Sequence, residues 1–213
     1  MGCSSSKDSH APKIVKPAAV AGQTPCGPWL KSAEDLTDFP VWPADYQQSL
    51  TCKFVTKEVW EEYKDKKDDC GVSFKTCIIS GAQNVDSGIG CYAGSHSSYK
   101  TFNKFFDQVI DAYHKHPPTA NHTSNMNASE LQCPPLPEDE QAMIVSTRIR
   151  VGRNLAGYPL APGISNEQRN EIMTKVVEAC KTFEGDLAGT FYSLNSLSKK
   201  ERDQLIADHF LFK

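Results

Sequence analysis

Apolar positions keep a helical rhythm most clearly between residues 99 and 113. Tyr99, Phe102, Phe105, Phe106, Val109, Ile110 and Tyr113 recur at steps of three, four and seven. That spacing predicts an amphipathic helix whose aromatic stripe faces a core. Upstream, Thr56 is placed to cap a helix, Val55 and Trp60 have the spacing of a hydrophobic staple, and Val59, Trp60 and Tyr63 share a face. Lys64, Lys66 and Lys67 suit the end of that helix. Ser73 predicts the start of a second short helix burying Phe74, Cys77 and Ile78, with Gly81 as its stop.

The pattern changes further on. Met143 to Ile149 is apolar and β-branched and predicts a strand, as does Leu187 to Ser193 with Thr190, Phe191 and Tyr192. Between them Ser165 and Gln168 form a capping box ahead of Ile172, Met173, Val176, Val177 and Cys180. Ser198 and Glu201 form another, opening a helix that carries Leu205 and Ile206. Alternating strands and helices fit either a doubly wound parallel sheet or an α+β domain, and periodicity does not choose between them.

Prolines set the organisation. Six of the thirteen lie before residue 47 and five lie between 117 and 137. Residues 1–45 mix Ala, Pro, Gly and Ser without a period and read as a flexible tether. Residues 116–139, with the run Cys133-Pro134-Pro135-Leu136-Pro137, read as a linker. Two folded blocks remain, 46–115 and 140–213. No internal repeat is present.

Composition narrows the classes. The chain has 213 residues, 39% hydrophobic and 23% charged, an ordinary globular balance. No apolar run reaches the roughly 18 residues that span a bilayer. The 23 basic residues are outnumbered by 26 acidic ones and form no basic block, which excludes a nucleic-acid partner. The eight cysteines form no CxxC pair and complete no zinc pattern, so no metal site is expected, and they read as reduced thiols. The sequons at Asn121 and Asn127 carry no meaning for a chain without a secretory signal.

The N-terminus does change the picture. Met1-Gly2-Cys3-Ser4-Ser5-Ser6 fits the myristoylation pattern, with Gly2 as acceptor and Cys3 beside it as a palmitoylation site. One myristoyl chain holds a membrane only marginally, which is the reason for a second. The expectation is a doubly acylated protein at the cytoplasmic side of a membrane, for example a ciliary one.

Two stretches could carry chemistry. In Asn84-Val85-Asp86-Ser87-Gly88-Ile89-Gly90-Cys91-Tyr92, Gly88 and Gly90 permit close approach of backbone amides to a carboxylate or phosphate, although on their own they are explained more simply by a tight turn between helices. In Ser146-Thr147-Arg148-Ile149-Arg150, a strand would put Arg148 and Arg150 on one face, either as an anion fork or as a solvated surface.

Both stretches resemble the phosphagen (guanidino) kinase family, most closely its arginine kinases. The likeness runs from about Gln47 to Lys213 and includes Gly152 to Pro159, Phe183 to Leu187 and Asp208-His209-Phe210-Leu211-Phe212. It implies a small all-α N-terminal domain over 46–115. It also implies the beginning of an α+β catalytic domain, with an antiparallel, glutamine-synthetase-like sheet, over 140–213. The implied reaction is reversible transfer of the γ-phosphoryl group of MgATP to the guanidino group of L-arginine, with taurocyamine or creatine as alternative substrates. The resemblance assigns Ser87, Gly88, Ile89, Gly90, Cys91 and Tyr92 to the guanidino substrate. It assigns Ser146, Thr147, Arg148, Ile149, Arg150 and His209 to ATP or ADP, with Mg²⁺ held through the nucleotide. Family members continue past the Asp-His-Phe-Leu-Phe motif, and the groups that grip the guanidinium lie in that continuation. The expectation is therefore an N-terminal portion with no catalytic residue of its own, inactive in isolation, of unspecified oligomeric state. A non-catalytic, membrane-tethered binding module is the competing reading.

Overall fold

The computed structural model describes residues 14–18, 20–145, 147 and 149–211. The chain divides into two compact units, Met1–Ile164 and Ser165–Lys213.

The first unit begins with two short parallel strands, β1 (Gln23–Pro25) and β2 (Phe39–Val41), paired Gln23 to Phe39 and Pro25 to Val41. Residues 26–38 make the crossover that a parallel pair requires. Helices α1 (Leu50–Phe54), α2 (Lys57–Tyr63), α3 (Phe74–Gln83), α4 (Ser98–Thr101) and α5 (Asn103–His114) follow. Their starts are written locally. The Ser49, Thr56 and Ser73 side chains each accept a first-turn amide, from Cys52, Val59 and Thr76 respectively. The staple pair Val55 and Trp60 is buried.

Aromatic rings join these helices. Tyr63 of α2, Phe74 of α3 and Phe102 at the head of α5 lie with centroids 5.3–5.4 Å apart, and Phe105 meets Phe74 edge-on at 5.2 Å. The predicted aromatic stripe breaks at Phe102, which caps α5. Its middle is buried while Tyr99 and Tyr113 are exposed. A short helix α6 (Glu138–Gln141) follows in an exposed stretch. Residues 158–164 then return to the same unit. Leu160 donates its N–H to the Gly94 carbonyl at 2.8 Å, and Gly163 sits where a Cβ would stand 2.5 Å from a Val72 methyl.

Three expectations are corrected. Residues 23–42 are not a tether: Cys26, Leu30, Leu36 and Trp42 are buried in the core, because the parallel pair and the Trp42 indole fix them there. Gly81 does not stop α3, which runs on to Gln83; its role is close backbone contact, described below. The described residues hold no antiparallel sheet. Their one sheet is the parallel β1–β2 pair, and antiparallel pairing is confined to an isolated bridge between Lys67 and Ser73. The described parts of 143–149 and 187–193 are irregular, with Val145, Ile149 and Leu187 exposed. A strand exists only against a hydrogen-bonded strand, and neither stretch pairs with one among the described residues.

The second unit holds α7 (Asn166–Cys180) and α8 (Lys199–Ala207). Both predicted capping boxes are present, Ser165 with Gln168 and Ser198 with Glu201. The predicted buried faces are less complete: Ile172, Val177, Leu205 and Ile206 are half-buried, while Met173 and Val176 are exposed.

Candidate functional site

The loop from Asn84 to Tyr92 leaves the end of α3 and is fixed by its own carbonyls. Leu50 at the start of α1 donates its N–H to the Gly88 carbonyl at 3.0 Å. Thr51 donates both its N–H, at 3.0 Å, and its hydroxyl, at 2.7 Å, to the Ile89 carbonyl. Gly81 inside α3 donates its N–H to the Gly90 carbonyl at 2.7 Å. Tyr92 donates to the Cys77 carbonyl at 2.8 Å. Upstream, the Ser87 hydroxyl and amide both donate to the Asn84 carbonyl, and the buried Val85 anchors the turn.

Two glycines are required here. Gly90 sits at φ +81°, a left-handed conformation that a side chain disfavours. A Cβ on Gly81 would stand 2.5 Å from the Gly90 oxygen. Trp42 reinforces the crossing by donating its indole N–H to the Gly81 carbonyl at 3.0 Å.

The loop is therefore polarised. Three consecutive carbonyls turn inward to α1 and α3. The N–H groups of Gly88, Ile89, Gly90 and Cys91 donate to no acceptor among the described residues. Amides presented in a turn while the carbonyls are engaged are an anion-binding feature. Gly88, Ile89 and Gly90 border a cleft of about 560 Å³ whose lining includes Ser80, Ser87 and Tyr113. A second cleft of about 340 Å³ shares Ile89, Tyr92 and Tyr113 with it and adds Cys91, Tyr99 and His114. Tyr92 is exposed beside both.

Cys91 is half-buried, and burial pushes its thiol up to about 11, with the Thr51 hydroxyl pulling slightly the other way. A thiol so placed is neutral and packs as a small apolar group. In the same unit, Asp68 is buried and engaged by four donors. Its carboxylate accepts the hydroxyls of Ser95 and Ser98 and the amides of Cys70 and Val72. Burial acts to raise its pKa, but these donors overcome that and hold it below the usual carboxylate value.

The candidate positions separate into two sets. Ser87, Gly88, Ile89, Gly90, Cys91 and Tyr92 come together in one polarised loop. Thr147, Ile149 and Arg150 are exposed in an irregular segment, and His209 belongs to the second unit, exposed with φ +64°. Ser146 and Arg148 lie outside the described residues, as do Gly2 and Cys3. No group of three or more His, Cys, Asp or Glu among the described residues is placed to hold a metal. Sequence reading missed Leu50, Thr51 and Gly81 as the loop's anchors. Only Gly81 left a signal, as a glycine inside a helical pattern.

Residues 45–111 match the family model of the ATP:guanido phosphotransferase N-terminal domain. An arginine kinase from Anthopleura japonica is 44% identical over 167 residues, covering 78% of this chain and 23% of that protein. The arginine kinase of Limulus polyphemus is 41% identical over 173 residues, covering 78% of this chain and 46% of its own. Among solved structures, a duplicated taurocyamine kinase from Schistosoma mansoni aligns with TM-score 0.66 and 31% identity over 80% of this chain and 24% of that one. A lombricine kinase aligns with TM-score 0.62 and 26% identity over 87% and 50%. The chain spans between about a quarter and a half of the length of these relatives. The polarised glycine loop lies inside the matched segment, and over residues 45–111 the chain carries the N-terminal domain of the ATP:guanido phosphotransferase (phosphagen kinase) family.

Proposed function

We propose that the chain serves an arginine kinase, which transfers the γ-phosphoryl group of MgATP reversibly to the guanidino group of L-arginine, and that its own part is to recognise arginine. The observation that carries this reading is the loop of Ser87 to Tyr92, with the Gly88, Ile89 and Gly90 carbonyls engaged by Leu50, Thr51 and Gly81 while those same loop residues, whose amides donate to no described acceptor, border a cleft. The α-carboxylate of arginine is the anion those amides would hold, and the cleft beside them accommodates the side chain. Identity of 44% and 41% to arginine kinases supports arginine over other guanidino compounds. Taurocyamine is the second reading, favoured by the taurocyamine kinase neighbour. Its sulfonate is also an anion, so the loop amides alone would accept either.

Phosphoryl transfer depends on positioning and charge stabilisation more than on covalent chemistry. Fixing the acceptor's carboxylate end fixes where its guanidino nitrogen can lie, and a closed loop keeps water from competing for the phosphoryl group. Ser146, Thr147, Arg148, Ile149, Arg150 and His209 are the proposed contacts of ATP or ADP, with Mg²⁺ carried on the nucleotide. The chain as it stands is expected to bind arginine without turning it over. Gly2 and Cys3 are the proposed acyl sites, holding the protein to the cytoplasmic side of a membrane.

Amide chemical-shift mapping tests the substrate reading. L-arginine at millimolar concentration should move the amides of Gly88, Ile89, Gly90 and Cys91 more than taurocyamine or creatine does. Undisturbed loop amides, or a larger response to creatine, would overturn it.

A further inference from the structure

A separate apolar cleft of about 270 Å³ lies against the β1–β2 pair, its lining drawn from residues 15–43. Val15, Ala18 and Val20 form one wall, and Pro25, Val41 and Trp42 the other. The floor is core: Cys26 is fully buried and Trp42 nearly so. The rim is not, because Val15 is 79% exposed and Val20 56%. A single exposed valine means little. Two on the rim of one apolar cleft describe a surface that lacks its cover.

We propose that this cleft receives the fatty acyl chain carried by Gly2, a proposal that rests on the lipidation reading of the N-terminus. The occupant follows from what lies near in sequence. Ile14 packs on the core and Val15 lines the cleft, and Gly2 precedes Ile14 by twelve residues. Gly2 is separated from Ile14 by a segment that extends to roughly 40 Å at 3.3–3.6 Å per residue, which more than suffices to fold back. Residues 3–13 read Cys-Ser-Ser-Ser-Lys-Asp-Ser-His-Ala-Pro-Lys and contain no large apolar side chain to fill the cleft. The acyl group is the apolar element this segment has to offer. Because one myristoyl chain holds a bilayer only marginally, a protein cleft can compete with the membrane for it. The cleft then sets how much acyl chain is free for the bilayer, and a second chain on Cys3 tips the balance outward.

The full chain, co-expressed with an N-myristoyltransferase and carrying ¹³C-labelled myristate, tests this. Intact mass reports acylation. Nuclear Overhauser contacts are expected between the acyl methylenes and the methyls of Val15, Val20 and Val41. Val15→Asp with Val20→Asp, at exposed positions that leave the core intact, should remove those contacts. The same pair should raise binding to neutral phosphatidylcholine vesicles about tenfold, the gain when a chain previously free a tenth of the time is released. In the Gly2→Ala chain the two substitutions should change nothing. An acylated chain without these contacts, whose vesicle binding is the same with and without the substitutions, overturns the cleft alone. A chain that the transferase leaves unmodified overturns the lipidation reading and the cleft with it.

Discussion

Gly81 and Gly90 cross backbone to backbone, with the Gly81 N–H 2.7 Å from the Gly90 oxygen and no room for a Cβ between them. Gly81→Ala would press a methyl group into the Gly90 carbonyl, whose preceding neighbours Gly88 and Ile89 are held by α1. The expected cost is about 2–3 kcal/mol, typical of forced overpacking against rigid neighbours. Because the displaced atom belongs to the loop, arginine affinity should fall with stability. Urea denaturation and an arginine titration check both; full stability would mean the backbones separate freely.

Thr51→Val keeps shape while removing the hydroxyl that donates to the Ile89 carbonyl at 2.7 Å. The backbone bond from the same residue remains, so the loss should be modest, about 1 kcal/mol. Faster hydrogen exchange at the bonded amides that hold the loop, those of Thr51, Gly81 and Tyr92, should accompany it. An unchanged exchange pattern would show that the hydroxyl does not hold the loop.

Asp68 predicts a pH dependence of defined sign. Its carboxyl is held below the unfolded value, so its contribution to stability is complete above about pH 4. It is lost as pH falls through the native pKa. Asp68→Asn leaves hydroxyl and amide donors without their charged acceptor and should cost about 2 kcal/mol at pH 7. The gap between variant and parent should close in acid. Denaturation at pH 7 and pH 3 measures it, and a gap of constant size at both would refute the role.

Thiol reactivity should divide by burial. Burial pushes Cys77 and Cys91 up to about 11 and Cys26 higher still, whereas Cys70, Cys133 and Cys180 are exposed. At pH 8 a thiol with that pKa is ionised roughly a thousandfold less than it is protonated, and only the thiolate alkylates readily. Iodoacetamide followed by peptide mapping should mark the exposed three first and reach Cys26, Cys77 and Cys91 only after unfolding. Early labelling of Cys91 would mean the glycine loop opens.

Phe105 contacts both Phe74 and Phe106 and is fully buried. Phe105→Ala should cost about 3–5 kcal/mol, read as a lowered denaturation midpoint. A loss under 1 kcal/mol would show that the aromatic cluster repacks around the void.

What was legible in the sequence was local. The caps at Thr56, Ser73, Ser165 and Ser198 depend on residues three apart, and all four are present. The buried middle of the aromatic stripe was equally readable, because helical spacing encodes it. What failed depended on a distant neighbour. Gly81 looked like a helix stop because its partner, Gly90, arrives through a loop. The β1–β2 pair was hidden because three-residue strands among prolines carry no alternation. Residues 143–149 and 187–193 have strand-like side chains, but side chains alone supply no ladder. For the candidate site, the sequence marked the glycines and not the anchoring groups of Leu50 and Thr51, whose partners are set by tertiary packing.

The return of residues 158–164 to the first unit gives its assembly an order in time. A ribosome delivers about 5–20 residues per second. The helices through α5 therefore exist for seconds before Leu160 can reach the Gly94 carbonyl and Gly163 can close over Val72. During that interval a carbonyl and a valine face stand bare. An expression fragment ended at residue 111, where the family match stops, would make that interval permanent.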